Sequence, residues 1–341
     1  MDDLVFYYSQ EHQAHAEKGH PERPERLESI RIALMKAGIW DRYSHLNPSQ
    51  LSTEVLQTVH ESIFLERLHE ACSRSQRIDT DTYVTPQSWQ LALDTAGGGA
   101  ALARAVWQSE AKRGFLLARP PGHHATPRQA MGFCLLNNIA LAAESLIQKC
   151  GAQRLAIIDI DLHHGNGTQE IFWQRGDVFY ISTHQHPHYP GTGKLQEIGA
   201  GAGTRKTANL PLPPYSGNQA FSAVLEEFIQ PLLDRFQPEM LLVSAGFDIH
   251  WRDPLGQLLI STEGFANLIA QLTNWSDKYC EGRIALFLEG GYDLEAGAAC
   301  ALASTNALLG LPWEDPLGPS PHLETTDWRV ILNQAKQIWE I

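Results

Sequence analysis

The chain has 341 residues, and its 43 % hydrophobic content is ordinary for a soluble globular enzyme. With 39 acidic against 26 basic residues the formal charge is −13, which argues against general nucleic-acid binding and would suit a cationic substrate. No run approaches the roughly 18 apolar residues of a membrane helix, and the first twenty residues, with Asp2, Asp3, His12 and His15, do not read as a signal peptide. Cys72, Cys134, Cys150, Cys280 and Cys300 form no C-x-x-C pair, which argues against disulfides or a cysteine-based zinc site and fits a reducing cytoplasm.

In chain order, apolar runs predict buried strands beginning near Leu4 (LVFYYS), Gly114 (GFLLARP), Arg154 (RLAIIDID), Val178 (VFYIST), Met240 (MLLVSAGFD) and Ile284 (IALFLEGGYD). Helical stretches are expected at 89–107, 137–149, 218–236 and 262–279. Alternating strands and helices imply an α/β fold with a mostly parallel central sheet, read as one domain over 1–341. A tail helix at about 324–340, with Trp328, Ile331, Leu332 and Ile338, would pack against it.

The ends of these runs carry the chemistry. Pro-Gly-His123-His124 follows the second, Asp159, Asp161 and His163 the third, His184 the fourth, Asp248 the fifth and Tyr292 the last. In a parallel sheet such ends meet on one edge, where α/β proteins bind ligands. Alternation along a strand puts Asp159, Asp161 and His163 on one side. Asp161 and His163 can then share one ion, with Asp248 as the third corner and a position left for water and substrate, the pattern of a catalytic zinc site. Adjacent His123 and His124 on a Pro-Pro-Gly turn could supply proton transfer and charge beside that metal.

RPPGHHA, DIDLHHGNGTQ, YPGTG, SAGFD and LEGGYD together resemble the zinc-dependent histone deacetylase superfamily, which includes bacterial acetylpolyamine amidohydrolases and acetoin-utilisation proteins. The likeness runs from about Tyr8 to Leu309, and HHGNGTQ is similar to the class II branch, which has Asn where class I has Asp. The resemblance implies a three-layer arginase/deacetylase-like fold and zinc held by Asp161, His163 and Asp248. It implies His123 backed by Asp159, His124 backed by Asn166 as general base and acid, and Tyr292 donating to the acyl oxygen. It also implies a channel for an acyl-lysine stem lined by Phe133, Tyr189 and Gly132, with Asp81 at the rim, a place for which Asp79 competes. A monovalent cation, K+ or Na+, is implied at Asp159, Asp161, His163, Ser182 and Thr183. The implied reaction removes acetyl groups from acetylated protein lysine or a small acetylated amine such as an acetylpolyamine; nucleic acid and membrane are not expected partners, and an oligomer is possible.

Other signals carry less. HQHPHYPG at 184–191 has metal-binding residue types, but Pro187 breaks the spacing. His20 and Arg26 in GHPERPERLESI match the family's loop near an internal acetate channel, and a helix-capping loop explains them equally well. Gly97-Gly98-Gly99 follows no strand and precedes no Lys, so close helix packing is expected rather than phosphate binding. A two-metal ureohydrolase would need a second carboxylate pair, but Ile249 and His250 follow Asp248. A non-catalytic acyl-lysine binder would be expected to have lost a ligand, a histidine or the tyrosine, and all are present.

Overall fold

The computed structural model describes residues 2–341. Eight strands form one sheet: β1 (Val5–Tyr8), β2 (Ser44–Leu46), β3 (Arg113–Leu117), β4 (Leu155–Asp159), β5 (Val178–Gln185), β6 (Thr207–Leu212), β7 (Met240–Ala245) and β8 (Ile284–Leu288). Their order is β2-β1-β3-β8-β7-β4-β5-β6, and every pairing is parallel. The sheet is therefore parallel throughout, where the sequence implied a mostly parallel one. Helices cover both faces, each over its own apolar cluster, so β4, β5, β7 and β8 are buried along their length. Their continuous runs of Ile, Leu and Val follow from that double cover.

The two strands without a clear sequence signal are the edges. Ser44–Leu46 is short and largely exposed, and TANLPL carries Pro211, whose missing N–H is tolerated only where no further strand pairs. The four expected helices are present at Ser88–Trp107, Asn138–Cys150, Asn218–Phe236 and Thr262–Tyr279. In the third, Leu225–Ile229 widens to a π-helical turn before Pro231, which has no N–H for an α-helical bond. Helices at Glu25–Lys36, Thr53–Val59, Ser62–Ser73 and Leu294–Leu309 were not anticipated.

Gly98 lies against Tyr7 of β1, where an added Cβ would come within 2.4 Å of the ring, so the glycine run serves helix–sheet packing as expected. The tail helix spans Trp328–Trp339, shorter than 324–340, and buries Trp328, Leu332 and Trp339. Glu324 stays outside it because its carboxylate accepts the N–H groups of Gly217, Gln219 and Ala220, capping the helix that starts at Asn218.

Candidate metal and hydrolytic centre

Four strands adjacent in the sheet, β3, β8, β7 and β4, end on the same edge, and the loops that leave them build one buried cluster. Asp161 and His163 follow β4, and Asp248 sits in a short turn after β7. The three offer ligand atoms within 4.8 Å of one another, and all are buried. His163 Nδ1 lies 3.1 Å from Asp161 Oδ1 and 3.2 Å from Asp248 Oδ2. Backbone N–H groups of His163 and Gly290 hold Asp161 (2.8 Å each), and that of Leu162 holds Asp248 Oδ1 at 3.0 Å.

Asp248 Oδ2 has no hydrogen-bond donor although fully buried, since its contact with the imidazole lacks hydrogen-bonding geometry. Burial, then the nearby Asp161 charge, raises the pKa of Asp248. A buried, repelled and undonated carboxylate oxygen aimed at a second carboxylate and an imidazole is the arrangement a cation resolves. The donor set of two oxygens and one nitrogen fits a divalent ion such as zinc with an open position. A Cβ at Gly246 or Gly290 would come within 2.0 Å of Asp161 Oδ2 or Asp248 Oδ2, so the cradle requires glycine at both. His250 turns away to Thr262 Oγ1 at 3.3 Å, leaving no second carboxylate pair.

Beside this cluster stand His123 and His124, ring centroids 4.0 Å apart. His123 Nδ1 is 3.1 Å from Asp159 Oδ2, and His124 Nδ1 is 2.8 Å from Asn166 Oδ1. Burial opposes charge on His123, but Asp159, Asp161 and Glu289 outweigh it and push its pKa up to about 10. His124 has only a neutral partner, and burial with the His123 charge holds it well below the ordinary imidazole value. One imidazole is thus kept charged and the other neutral. Asp159 also accepts from Tyr180 Oη (3.0 Å) and the Asp161 N–H (3.2 Å). Ser182 lies opposite Asp159 in the β4–β5 register, with its hydroxyl 2.9 Å from His184 Nδ1, and Thr183 Oγ1 donates weakly to the Asp159 carbonyl at 3.4 Å.

Tyr292 follows Gly290-Gly291, and two groups that sequence reading did not single out, Asp253 and Glu289, help to shape its turn. Asp253 accepts the N–H groups of Tyr292 (2.6 Å) and Asp293 (3.3 Å). Glu289 accepts from the Gly122 N–H at 2.7 Å, the His123 N–H at 3.2 Å and Ser244 Oγ at 3.1 Å, tying the β8 loop to the histidine loop. Burial raises the pKa of Glu289 to about 7. Glu289 also joins His123 and Cys134 in a second close trio, but its oxygens are already occupied by these donors.

Arg26 is buried in the first turn of helix Glu25–Lys36 and donates to the carbonyls of Gly291 (2.5 Å) and Glu289 (2.6 Å). Its guanidinium lies 4.8 Å from the Tyr292 ring centre. Glu22 bridges Arg26 and Arg119, all three buried. Of the three, sequence reading singled out Arg26 alone; Glu22 showed only an E-x-x-x-R spacing to it. His20 is pinned to the Asp81 carbonyl (2.9 Å) and packs edge-on against Phe133.

Burial works against ionised Glu22, but Arg119 and Arg26 prevail and lower its pKa to about 2. Its folded value is depressed, so its contribution to stability is complete above the ordinary carboxylate range and lost as pH falls toward about 2. Glu22→Gln strands two buried guanidinium groups and should cost roughly 3–5 kcal/mol. Urea denaturation at neutral pH measures this, and a loss below about 1 kcal/mol would contradict a buried ion network.

The cluster lies at the bottom of a narrow cavity of about 160 Å³, lined by His123, His124, Gly132, Phe133, His163, Tyr189 and Tyr292. Phe133 meets Tyr292 edge-on at 5.7 Å, and Tyr189 meets His124 edge-on at 5.1 Å. Gly132 has φ +55°, and a Cβ there would come within 2.4 Å of His124, so the turn needs glycine on two counts. Leu255, His188, Pro121, Cys134 and Gly290 line the cavity as well and were not foreseen. His184 does not reach it, contrary to the expectation that all five strand ends converge; its ring bridges Ser182 and the Gly193 carbonyl (3.1 Å). His164 likewise turns to Thr192 and Gln169. In the HQHPHYPG run, His184 is buried, His186 exposed and His188 at the cavity, so the three form no common site. Asp81 is exposed with a free carboxylate, whereas Asp79 Oδ1 accepts the N–H groups of Asp81 (2.9 Å) and Thr82 (2.6 Å) and serves the turn.

A parallel α/β sheet whose carboxyl edge carries a carboxylate–imidazole cradle with a histidine pair beside it is the arrangement expected of a metal-dependent hydrolase. Residues 20–308 match the histone deacetylase domain family. A probable deacetylase of Archaeoglobus fulgidus is 38 % identical over 317 residues, covering 91 % of this chain and 87 % of that one. Histone deacetylase 14 of Arabidopsis thaliana, a chloroplastic protein, is 39 % identical over 314 residues, covering 87 % and 74 %. The crystal structure of the HDA15 HD domain matches with a TM-score of 0.89 at 34 % identity, covering 99 % of this chain and 94 % of that one. The chain belongs to the histone deacetylase family and is a hydrolase acting on amides. No helix among the described residues is long and apolar enough to cross a membrane.

Proposed function

We propose that the chain is a zinc-dependent deacetylase that releases acetate from an acetylated amine such as acetyl-lysine, working as one catalytic domain in the cytoplasm. The observation that carries this reading is the buried Asp161–His163–Asp248 trio, with an orphaned carboxylate oxygen, beneath a narrow cavity beside His124. The five free cysteines agree with a reducing compartment.

Zinc held by Asp161, His163 and Asp248 would polarise the amide carbonyl and acidify a water. With Nδ1–H donated to Asn166, His124 keeps the Nε2 lone pair for the proton of the attacking water and returns it to the departing amine nitrogen. His123, charged through Asp159, stabilises negative charge without trading its proton. Burial keeps the Tyr292 phenol protonated, so it can donate to the acyl oxygen as charge develops. Water adds hydroxyl to the acyl carbon and hydrogen to nitrogen, yielding acetate and a free amine. Phe133, Tyr189 and Gly132 would grip the stem, Asp81 would meet substrate backbone at the rim, and Asp159, Asp161, His163, Ser182 and Thr183 would take a monovalent cation.

The reading is tested by acetate release from acetyl-lysine peptide, acetylcadaverine, acetylspermidine and free acetyl-lysine, before and after chelation. Turnover of at least one substrate, lost with the metal and restored by zinc, is the expected result; undiminished turnover in metal-free protein would defeat it.

Asn166 sets the pH behaviour. Aspartate there would stabilise protonated His124 and raise its pKa. His124 must be neutral to accept a proton, so Asn166→Asp should shift the acidic limb of the pH–rate profile upward. A limb that stays in place would separate Asn166 from the titrating base.

A further inference from the structure

We propose that an arginine-lined groove near the cavity mouth binds the acidic flank of a protein substrate's acylated lysine; this rests on the deacetylase reading above. The groove has a volume of about 350 Å³, and its walls carry Arg67, Arg74, Arg77 and Arg128 against one acidic residue, Glu70. Three of these arginines also have carboxylates beside them, Glu70, Glu17, Glu61 and Glu170, while among the described residues Arg67 has none. Arg67 and Arg74, seven residues apart on and just beyond helix Ser62–Ser73, project on one face.

The arginines are available. Among the described residues Arg67 has no ion-pair partner, while Arg74 pairs with Glu70, Arg77 with Glu17, and Arg128 with Glu61 and Glu170. Those pairs are solvent-exposed, with the Arg74 and Arg128 side chains 67 % and 66 % accessible, so each exchanges for a substrate carboxylate at little cost. Beneath them Phe64 and Leu68 give an apolar floor, on which the stems of acidic or neighbouring side chains can lie.

The groove and the cavity share no lining residue, but two chain segments lead from one to the other. The groove residues Arg77 and Ile78 lead into the turn that ends at Thr82, and Arg128 to Ala130 lead to Gly132 and Phe133. The Phe133 N–H donates to Thr82 Oγ1 at 3.2 Å, joining the two segments at the rim. Ala130 is three residues from Phe133, so their Cα atoms lie at most about 11 Å apart. An extended substrate crosses that distance in about three or four residues. A polyamine has no carboxylate to offer these arginines, and a small acylamine would not reach them.

The test uses the purified metal-loaded enzyme and acetyl-lysine peptides of equal length, with acidic or neutral residues about three to five positions to either side of the lysine. Acids on one flank should raise kcat/KM about five- to tenfold, chiefly through KM, and roughly 0.5 M salt should erase most of the gain. Arg67→Gln combined with Arg74→Gln should remove the gain while the neutral peptide is turned over as before. Equal kcat/KM for acidic and neutral peptides, or a gain that survives the double substitution, would overturn the groove assignment while the deacetylase reading stands. Failure of every peptide, with small acetylamines still hydrolysed, would overturn it too. Loss of turnover on all substrates would instead mark the failure of the deacetylase reading.

Discussion

Asp248→Ala should reduce bound metal from about one ion per chain to near zero and abolish turnover. Asp248 is the proposed ligand in the turn that follows β7, and its Oδ2 is the buried oxygen without a donor. Without it, Asp161 and His163 remain as a two-point site, and the open position for water loses its geometry. The fold should survive. The raised pKa of Asp248 means that, without a cation, the carboxylate strains the cluster through burial and repulsion from Asp161. Metal-free variant should therefore match or exceed metal-free wild type in thermal stability, and a chelator should lower the melting temperature of wild type only. Elemental analysis with thermal melts measures both, and stoichiometric metal in the variant would move the site elsewhere.

Tyr292→Phe should lower turnover by a factor on the order of 10²–10³, or about 3–4 kcal/mol, by removing one donor to the developing oxyanion. The ring is held independently of its hydroxyl: Asp253 accepts the Tyr292 N–H, Arg26 lies over the ring and Phe133 meets it edge-on. Packing, metal content and melting temperature should therefore stay near wild type. Substrate binding should change little, because the stem contacts Phe133 and Tyr189 in the ground state as well. Single-turnover rates and KM measured together separate the two effects. A variant within about threefold of wild type would make the residue a packing element after its turn, with no part in catalysis.

Local pattern made the central strands readable. β4, β5, β7 and β8 are covered on both faces, so burial is written into each as an unbroken apolar run, and the polar residues that follow stand out. The edge strands left no such mark: Ser44–Leu46 is exposed, and Pro211 interrupts β6. The implied pairings His123–Asp159 and His124–Asn166 appear at hydrogen-bond distance because each motif sits in a short loop directly after its strand. His184 misled because period alone does not tell which side of a strand meets the cavity.

The sequence by itself determined the α/β class and pointed to Asp161, His163 and Asp248 as candidate ligands, since residue type at the strand ends is legible locally. Only the tertiary structure decided how those ends are supported. Glu22 reaches Arg119 across 97 positions, Glu289 reaches Gly122 across 167, and Arg26 reaches Gly291 across 265. Arg67 and Arg128 likewise come together only when helix Ser62–Ser73 packs beside the loop after β3. Contacts of that separation leave no periodicity in the chain. Their partners are set by the order in which the strands pair, and removing one side of Glu22–Arg119, Glu289–Gly122 or Arg26–Gly291 leaves a buried polar or charged group unpaired.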